Sequence, residues 1–391
     1  MQTLKFVSPD QKQHLFADAV RKNVNDYFKE KGISTKGNFS LILQTVAMLT
    51  IYIVPFVLMV AVPMSMWVAV ILCIIMGVGT AGIGMAVMHG AAHGSYSNKE
   101  WINNLFASTM YALGGNVFTW KVQHNILHHT FTNINEFDQD IASKGPIRLC
   151  EHAPVLKIHR YQYIHAFFFY GLMTIFKLFK DFFQMAEFNR DGYARQLQSN
   201  PTIVYLKMVA VKLTYFAIII GLPILLTPFT WWQVVIGFVI MHWTTGLILG
   251  TVFQLAHVVE GLDMPLPDKS GVIESDWAVH ELHTTADFAR NNLFLNWYIG
   301  GLNFQIEHHL FPHICHIHYR NIAPIVEKTA REHGLNYNLK PTFFAALKSH
   351  VRRLKELGRP VMPVAAYNQS AVAGVCSCDH LDAKREFLWT I

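Results

Sequence analysis

Two long stretches of the sequence, residues 41–88 and 213–259, contain no Asp, Glu, Lys or Arg. A transmembrane helix needs about 20 predominantly apolar residues, so each stretch is long enough for two helices joined by a tight turn. Pro63 marks the turn in the first stretch, and Thr227-Pro228 marks it in the second. The pattern therefore predicts two helical hairpins in a membrane, with spans at residues 41–62, 66–88, 202–226 and 231–256.

The segments around the hairpins are more polar. Val20, Val24 and Phe28 recur at helical spacing, which favours either an amphipathic helix on the membrane surface or a solvated leader. Residues 101–119 are apolar but interrupted by Asn and Gly, which predicts a re-entrant helix, and residues 161–188 are typical of an interfacial helix. The predicted fold is all-α, with four spans in two transmembrane hairpins, residues 41–88 and 202–256. We expect residues 1–40 to be cytoplasmic and amphipathic, and residues 89–201 to be cytoplasmic or interfacial. Residues 257–360 are expected to form a cytoplasmic helical cap, and residues 361–391 an unstructured tail.

Composition fits an integral membrane protein and excludes an ordinary soluble enzyme. Hydrophobic residues make up 52% of the chain and charged residues 15%, and the mean hydropathy is +0.25. Lys and Arg occur in the two terminal segments, in the middle one and, as Lys207 and Lys212, at the edge of the third span. None lies in either short turn, which predicts that both termini and the middle segment are cytoplasmic. The net charge of +6 is expected to favour lipid headgroups or anionic acyl carriers, and no nucleic-acid motif is present.

Histidines cluster where the apolar stretches end. His124, His128 and His129 lie within two helical turns, with His128 four residues after His124 and therefore on the same face of an α-helix. His89 and His93 have the same spacing at the end of the second span, and His257 ends the fourth. A last cluster comprises Gln305, His308 and His309, which are spaced so that all three can face one site.

Eight imidazoles and one amide exceed the ligands that a single metal ion needs. Consecutive histidines aim their rings in different directions, so one backbone segment can supply two neighbouring ions. A shell of imidazoles without thiolates indicates two redox-active iron ions. At the rim of a lipid-embedded bundle, such a site could activate oxygen and use it on an apolar chain, because breaking an unactivated C–H bond is beyond side-chain acids and bases.

Other polar residues have two open interpretations. Asp138 and Asp140 could accept hydrogen bonds from metal-bound histidines, or could belong to a solvated acidic loop. His242 lies at membrane depth, where a packing role and a functional role are both open. His313, His316 and His318 are expected to be structural or to contact phosphate. The run Gly77–Gly82 matches a dinucleotide-binding fingerprint, but it lies within an apolar helix, where close helix packing explains it better.

At these residues the sequence resembles the membrane-bound fatty acid desaturases. The three clusters match the histidine boxes of that family in order and spacing, over roughly residues 41–320. Gln305-Ile306-Glu307-His308-His309 resembles the box of the front-end subgroup, which acts between an existing double bond and the carboxyl end. Bacterial linoleoyl-CoA and other acyl-CoA desaturases without a fused cytochrome b5 are similar.

The resemblance implies a di-iron enzyme that uses O2 to introduce a cis double bond into an acyl-CoA or acyl-lipid chain. It implies that His257 is a further metal ligand, and it extends the outer sphere of the site to Asn303. No His-Pro-Gly-Gly motif occurs, so electrons are expected from a separate cytochrome b5 or ferredoxin. The expected location is a bacterial inner membrane, or the endoplasmic reticulum if the source is eukaryotic.

Two other functions remain open at this point. A hydroxylase or other oxygenase could use the same scaffold, because the oxidant can deliver oxygen instead of removing a second hydrogen. A metal or haem transporter would instead place histidines through the depth of its spans, where this sequence has only His242.

Overall fold

The computed structural model describes residues 4–141, 145–197 and 199–360, and its regular structure is almost entirely helical. The predicted unstructured segment 361–391 lies outside these residues. In the first half of the chain the α-helices are α1 Gln11–Lys31, α2 Phe39–Ala61, α3 Met66–Gly82, α4 His89–Ala92, α5 Glu100–Ala107, α6 Thr109–Ala112 and α7 Val117–Trp120. The later α-helices are α8 Gln162–Arg190, α9 Tyr193–Gln196, α10 Pro201–Phe216, α11 Leu222–Leu226, α12 Trp231–His257, α13 Trp277–Thr284, α14 Leu293–Tyr298, α15 Gln305–Leu310, α16 Tyr319–Glu332 and α17 Phe343–Leu357.

Other helical turns and four very short strands complete the described fold. Three segments are π-helical, Ile83–Met88, Lys121–His128 and Ala217–Gly221, and two are 3-10 helices, Lys157–Tyr161 and His316–His318. The strands form two parallel pairs, β1 Lys5–Phe6 with β2 Val272–Ile273 and β3 Asp287–Phe288 with β4 Leu339–Lys340. The prediction of a mostly helical protein is confirmed.

Four helices are long and apolar enough to cross a membrane, which confirms the predicted number of spans. They are Phe39–Ala61, Met66–Ala92, Pro201–Leu226 and Trp231–His257. Their starts follow from local chemistry. Ser65 caps α3, Asn200 caps α10 just before Pro201, and Thr230 with Gln233 forms a capping box at α12.

The glycine run Gly77–Gly82 is where α3 packs between its two neighbours. A Cβ atom on Gly77 would lie 2.6 Å from the carbonyl oxygen of Met241 in α12, and one on Gly79 would lie 2.7 Å from the backbone nitrogen of Tyr52 in α2. Neither position leaves room for a side chain. The small residues therefore allow close helix approach, as is common in membrane bundles.

The segment between the first two histidine clusters does not cross the bundle. It consists of the short helices α5, α6 and α7, with Gly114 in a left-handed conformation (φ 78°) at the turn before α7. At 1.5 Å per residue, even the eight-residue α5 is far shorter than a bilayer. The chain therefore returns to the level from which it started, and both clusters lie at one end of the hairpins.

Helix α1 differs from the expectation of a membrane-surface or solvated helix. Val20, Val24 and Phe28 are buried and belong to a hydrophobic core with residues of α13 and α16, such as Leu282 and Val326. The apolar face of α1 is therefore covered by protein and not by lipid or water. Its periodicity is real, but periodicity alone does not identify the apolar surface against which a helix packs.

Helix α8 packs along the last span through small residues. Gly171 leaves space for the Trp243 side chain, and Gly246 lies against the backbone of Tyr170. The opposite face of α8 exposes large aromatic side chains, including Phe176, Phe179 and Phe183. Helix α8 is therefore amphipathic, with one face packed against the rest of the protein and the other exposed.

A buried ion pair joins α8 to α10. Lys212 Nζ lies 2.9 Å from Asp181 Oδ2 and donates to the carbonyl oxygen of Gly114, and Thr119 Oγ1 donates to Asp181 Oδ1. The two charged side chains are 2% and 0% exposed. Lys177 Nζ also lies 3.0 Å from Asp181 Oδ1, so removing Lys212 leaves the buried carboxylate with one cation instead of two and the Gly114 carbonyl without its donor. Loss of one partner of a buried ion pair costs up to about 3–5 kcal/mol.

We therefore expect Lys212→Met to destabilise the protein strongly, and Lys212→Met with Asp181→Asn to recover part of the loss. The measurement is the thermal unfolding midpoint in detergent, followed by circular dichroism. Lys207→Met, at an exposed position of the same helix, is the matched control and should change the midpoint little. Equal midpoints for the two lysine variants would contradict the prediction.

Candidate metal centre

The first histidine cluster follows a π-helical turn, and the second lies on one. The π segment Ile83–Met88 leads into α4, and the backbone N–H of His89 bonds to the carbonyl of Gly84, five residues earlier. His93 follows α4 directly, and its N–H bonds to the carbonyl of His89. π-turns of this kind occur often at functional sites.

The second cluster corrects the expectation of a regular α-helix. Residues Lys121–His128 are π-helical, and the N–H of His129 bonds to the carbonyl of His124 at 3.0 Å. The wider turn holds one more residue than an α-turn, so the spacing argument for an α-helix does not apply. The rings of His124 and His128 are still stacked, at 24° and 5.1 Å, whereas those of His128 and His129 are inclined at 77°.

The last cluster is supplied by a short helix and by the end of a span. Asp287 of β3 accepts the backbone N–H of Ile306 at 3.1 Å, which fixes the first turn of α15. The rings of His308 and His309 diverge by 87°. His257 is the last residue of α12 and is fully buried.

These rings converge into two groups of nitrogen atoms. His89, His93, His124 and His308 form one group, and His128, His257 and His309 form the other, with the nitrogens of each group within 4.8 Å of one another. The His129 ring lies between the groups, with centroid distances of 4.6 Å to His308 and 4.2 Å to His309. The structure thus brings together all eight histidines that the sequence indicates.

The ring nitrogens that face the interior of this cluster lack protein partners. Within the described part of the chain, no hydrogen-bond partner exists for buried nitrogens on six of the histidines: Nε2 of His93, His128, His308 and His309, and both ring nitrogens of His129 and His257. Nε2 of His89 and Nε2 of His124 face each other at 2.9 Å. Buried polar atoms normally have partners, and lone pairs directed at a common point are the arrangement that a metal ion needs.

The environment keeps most of these rings neutral. Burial, reinforced by neighbouring imidazoles, lowers the pKa values of His93, His129, His308 and His309 well below the usual range. A neutral imidazole offers a lone pair, which is the form that binds metal. The donor set therefore fits one or more transition-metal ions.

Both predicted aspartates lie on the outer side of the second cluster. Asp138 Oδ2 lies 3.0 Å from His128 Nδ1 and accepts the backbone N–H of Asn133. Asp140 Oδ2 lies 3.4 Å from His124 Nδ1. Burial lowers the pKa of His128, but the Asp138 and Asp140 carboxylates outweigh this and raise it above the usual value. Each carboxylate thus engages Nδ1 and leaves Nε2 for a metal.

Glu281 is a carboxylate that the sequence did not assign to the site. Its Oε2 lies 2.7 Å from His309 Nδ1 and accepts a hydrogen bond from Thr132 Oγ1 at 2.8 Å. Burial raises the pKa of Glu281 well above its usual value, and a nearby metal cation would favour the carboxylate. Glu281 lies on α13, far from every histidine cluster in sequence, and no spacing rule connects it to His309.

The amide side chains near the last cluster are buried. Within the described residues, Gln305 Oε1 and both side-chain polar atoms of Asn303 have no hydrogen-bond partner. His308 Nδ1 lies 3.2 Å from the Tyr319 hydroxyl. Tyr319 is therefore a further contact of this cluster that the sequence did not indicate.

Three histidines outside the cluster that the sequence singled out have protein partners. His242 contacts the Tyr215 hydroxyl through Nε2 at 2.7 Å and Thr174 through Nδ1 at 3.1 Å, which favours the packing role. His316 Nε2 lies 2.9 Å from Gln44 Oε1, and His318 Nε2 lies 3.1 Å from the carbonyl of Lys36. These contacts indicate structural roles for all three.

Comparison with known proteins gives a consistent result. The family model described as fatty acid desaturase matches residues 65–341. An sn-1 linoleoyl-lipid 6-desaturase from Arthrospira platensis is 35% identical over 342 residues, which cover 88% of this chain and 92% of the relative. The Synechocystis protein of the same name is 32% identical over 88% and 96% of the two chains, and an acyl-lipid (8-3)-desaturase from Physcomitrium patens is 32% identical over 87% and 71%.

The outer carboxylates give a test of the metal centre. We expect Asp138→Asn and Glu281→Gln each to weaken metal affinity roughly 10- to 100-fold, because both remove a charge that orients a ligand histidine. Titration of the metal-free protein with Co²⁺, followed by its visible absorption, measures the affinity. Asp263→Asn, at a position whose side chain is 68% exposed, is the control. Unchanged affinity in both site variants would show that these carboxylates do not support metal ligands.

Proposed function

The chain belongs to the fatty acid desaturase family, and from this premise we propose that it is an oxygen-dependent fatty acyl desaturase of the front-end type. It is an integral membrane protein with four apolar helices. One observation carries the proposal. Histidines from three separate clusters and from the end of α12 converge, with free lone pairs, where two apolar hairpins end.

We propose two iron ions in this site. One would be held by the group His89, His93, His124 and His308, and the other by His128, His257 and His309. His129 lies where it could serve either ion, and Gln305 supplies an amide oxygen. Bound iron would supply the oxidising power that removes hydrogen from an unactivated C–H bond.

The protein residues hold and orient the ligands and keep water out. Asp138, Asp140 and Glu281 fix which nitrogen of their partner histidines carries the proton. His128, His129 and His309 are almost completely buried, so the centre is shielded from bulk water. A water-excluded site strengthens each electrostatic contact and limits side reactions of the oxidant.

The overall reaction fixes what else the enzyme needs. Converting one CH2–CH2 unit to CH=CH removes two hydrogens, and reducing O2 to two waters consumes these together with two further electrons and two protons. We propose that O2 is the co-substrate and that a separate cytochrome b5 or ferredoxin supplies the electrons. We propose that the histidine cluster, both termini and residues 89–201 lie on the cytoplasmic side of a bacterial inner membrane or of the endoplasmic reticulum, because Lys and Arg concentrate in these segments.

The substrate class follows from the third cluster and from the relatives. Gln305-Ile306-Glu307-His308-His309 has the glutamine typical of front-end enzymes. Two relatives are named sn-1 linoleoyl-lipid 6-desaturases, and a third is an acyl-lipid (8-3)-desaturase. We therefore propose a glycerolipid-bound polyunsaturated chain as the substrate in preference to an acyl-CoA, with a linoleoyl chain and position six as the first case to test.

The test is expression in a host that lacks polyunsaturated lipids, fed with linoleic acid, with mass spectrometry of the lipids. We expect a product two hydrogens lighter than its precursor, formed only with oxygen. His128→Ala and His309→Ala should abolish it, because each removes a proposed ligand. His283→Ala, a half-exposed histidine paired with Asp263, should retain it.

Other outcomes separate the alternatives. A product heavier by one oxygen would identify a hydroxylase on the same scaffold. Full activity without oxygen, or an active His128→Ala variant, would contradict the proposed chemistry. Product found first on free acyl-CoA and only later in lipids would replace the acyl-lipid assignment with an acyl-CoA one.

A further inference from the structure

We propose that Lys177 of α8, acting through Gln123, holds Asp140 where its carboxylate accepts from His124 Nδ1 and so presents Nε2 of His124 to the metal site. This inference rests on the proposed function, because it concerns a ligand of that site. Lys177 lies outside every histidine cluster in the sequence. Its link to the site is a chain of three side-chain contacts between α8, the π segment Lys121–His128 and the loop that follows it.

Every N–H donor of the Lys177 ammonium group has an oxygen acceptor. Its nitrogen lies 2.9 Å from Gln123 Oε1, 2.7 Å from Gln184 Oε1 and 3.0 Å from Asp181 Oδ1. A lysine has three N–H donors and no acceptor, so three oxygen atoms match it completely. The side chain is only 20% exposed.

Lys177 thereby fixes the orientation of the Gln123 amide. An amide can be reversed to exchange its oxygen and nitrogen, but a donor-only neighbour accepts one orientation alone. Gln123 Oε1 accepts from Lys177 and also from Gln184 Nε2 at 2.9 Å. The Gln123 NH2 group must therefore point the other way, where it donates to Asp140 Oδ1.

Asp140, held in place by Gln123, orients the histidine. With Oδ1 engaged by Gln123, its Oδ2 lies 3.4 Å from His124 Nδ1 and accepts that proton. His124 then carries no proton on Nε2, which faces His89 Nε2 at 2.9 Å in the first ligand group. An ionised carboxylate accepts at both oxygens, so a reversed Gln123 amide would set its oxygen against Asp140 Oδ1 and push the carboxylate away from His124 Nδ1.

The surrounding charges keep Lys177 directed toward Gln123. Asp181 is shared between Lys177 and Lys212, at 3.0 Å and 2.9 Å. The single carboxylate of Asp181 therefore faces two ammonium groups. One positive charge is left over, and the Gln123 amide lies between Lys177 and the Asp140 carboxylate.

The most informative variants change which hydrogen-bond donors and acceptors residue 177 offers, with little change in its size. Lys177→Gln places an amide that can present either an oxygen or a nitrogen to Gln123, whereas Lys177→Arg keeps a donor-only cation. We expect Lys177→Gln to weaken binding of one Co²⁺ per chain roughly 10- to 100-fold, as loss of an outer-sphere partner does, and Lys177→Arg to restore it. The readouts are Co²⁺ affinity and visible spectrum, metal content of the purified protein, and thermal unfolding midpoint without metal.

Lys180→Gln, at an exposed position one turn along α8, is the matched control and should bind Co²⁺ as the wild type does. The proposal is overturned if Lys177→Gln binds two Co²⁺ with wild-type affinity and spectrum. It is also overturned if Lys177→Arg is as defective as Lys177→Gln although both keep the wild-type unfolding midpoint. A wild-type protein that binds no metal would instead refute the proposed function itself.

A second pair of variants covers the case in which Lys177→Gln fails to fold. Gln123→Glu sets a carboxylate against Asp140, so we expect weaker metal binding despite a new ion pair with Lys177. Adding Asp140→Asn supplies an NH2 donor to Glu and keeps an oxygen for His124 Nδ1, so the double variant should bind metal better than Gln123→Glu alone. A double variant no better than the single one would overturn the proposal.

Discussion

Burial of imidazole nitrogens that have no protein partner is the constraint on which the rest of this structure depends. Eight such nitrogens lie on six histidines in the described residues. Each unsatisfied buried group costs about 1–3 kcal/mol, so together they cost on the order of 10–20 kcal/mol. That is as large as the net stability of a typical folded protein, about 5–15 kcal/mol. A cation in their midst is the physical means by which such an arrangement becomes stable.

The charges around the cluster are arranged in two layers. Most of the inner rings are neutral, since burial and neighbouring imidazoles lower their pKa values, whereas Asp138 and Asp140 raise the pKa of His128. The outer layer consists of carboxyl groups, with Asp138, Asp140 and Glu281 each in contact with a ring at Nδ1. From the Nδ1 side of the rings, these carboxyl groups would offset the charge of bound metal ions without taking up their coordination positions. A small co-substrate would then have room to bind.

The sequence indicated which residues form the candidate site better than it indicated the contacts between them. The eight histidines, Asp138 and Asp140 were found because each cluster is local and its spacing carries the signal. Glu281 and Lys177 were missed because their roles depend on contacts made only after α13 and α8 have packed against the clusters. The four spans were predictable from long stretches with little or no charge, since charged side chains are costly within lipid; the third span carries two lysines, Lys207 and Lys212, in its first half.

Two local features were also beyond the sequence. The π-turns arise where the backbone is held by tertiary packing, and α-helical and π-helical segments have no distinct hydrophobic pattern over so few residues. The apolar face of α1 could have rested on lipid or protein with the same periodicity, and its true partner is formed by residues about 250 positions later, such as Leu282. In both cases the decisive information is the identity of the neighbour.

The close contact between α3 and α12 has a consequence for how the enzyme tolerates its own product. A desaturase alters the acyl chains that form its solvent, and membrane helices respond to a change in hydrophobic thickness by tilting. Gly77 brings α3 into close contact with the backbone of α12, so we expect the two helices to tilt together. His89 and His257, which follow these two helices to their ends, therefore keep their separation while the pair adjusts as one body. The catalytic geometry is in this way insulated from the fluidity that the enzyme creates.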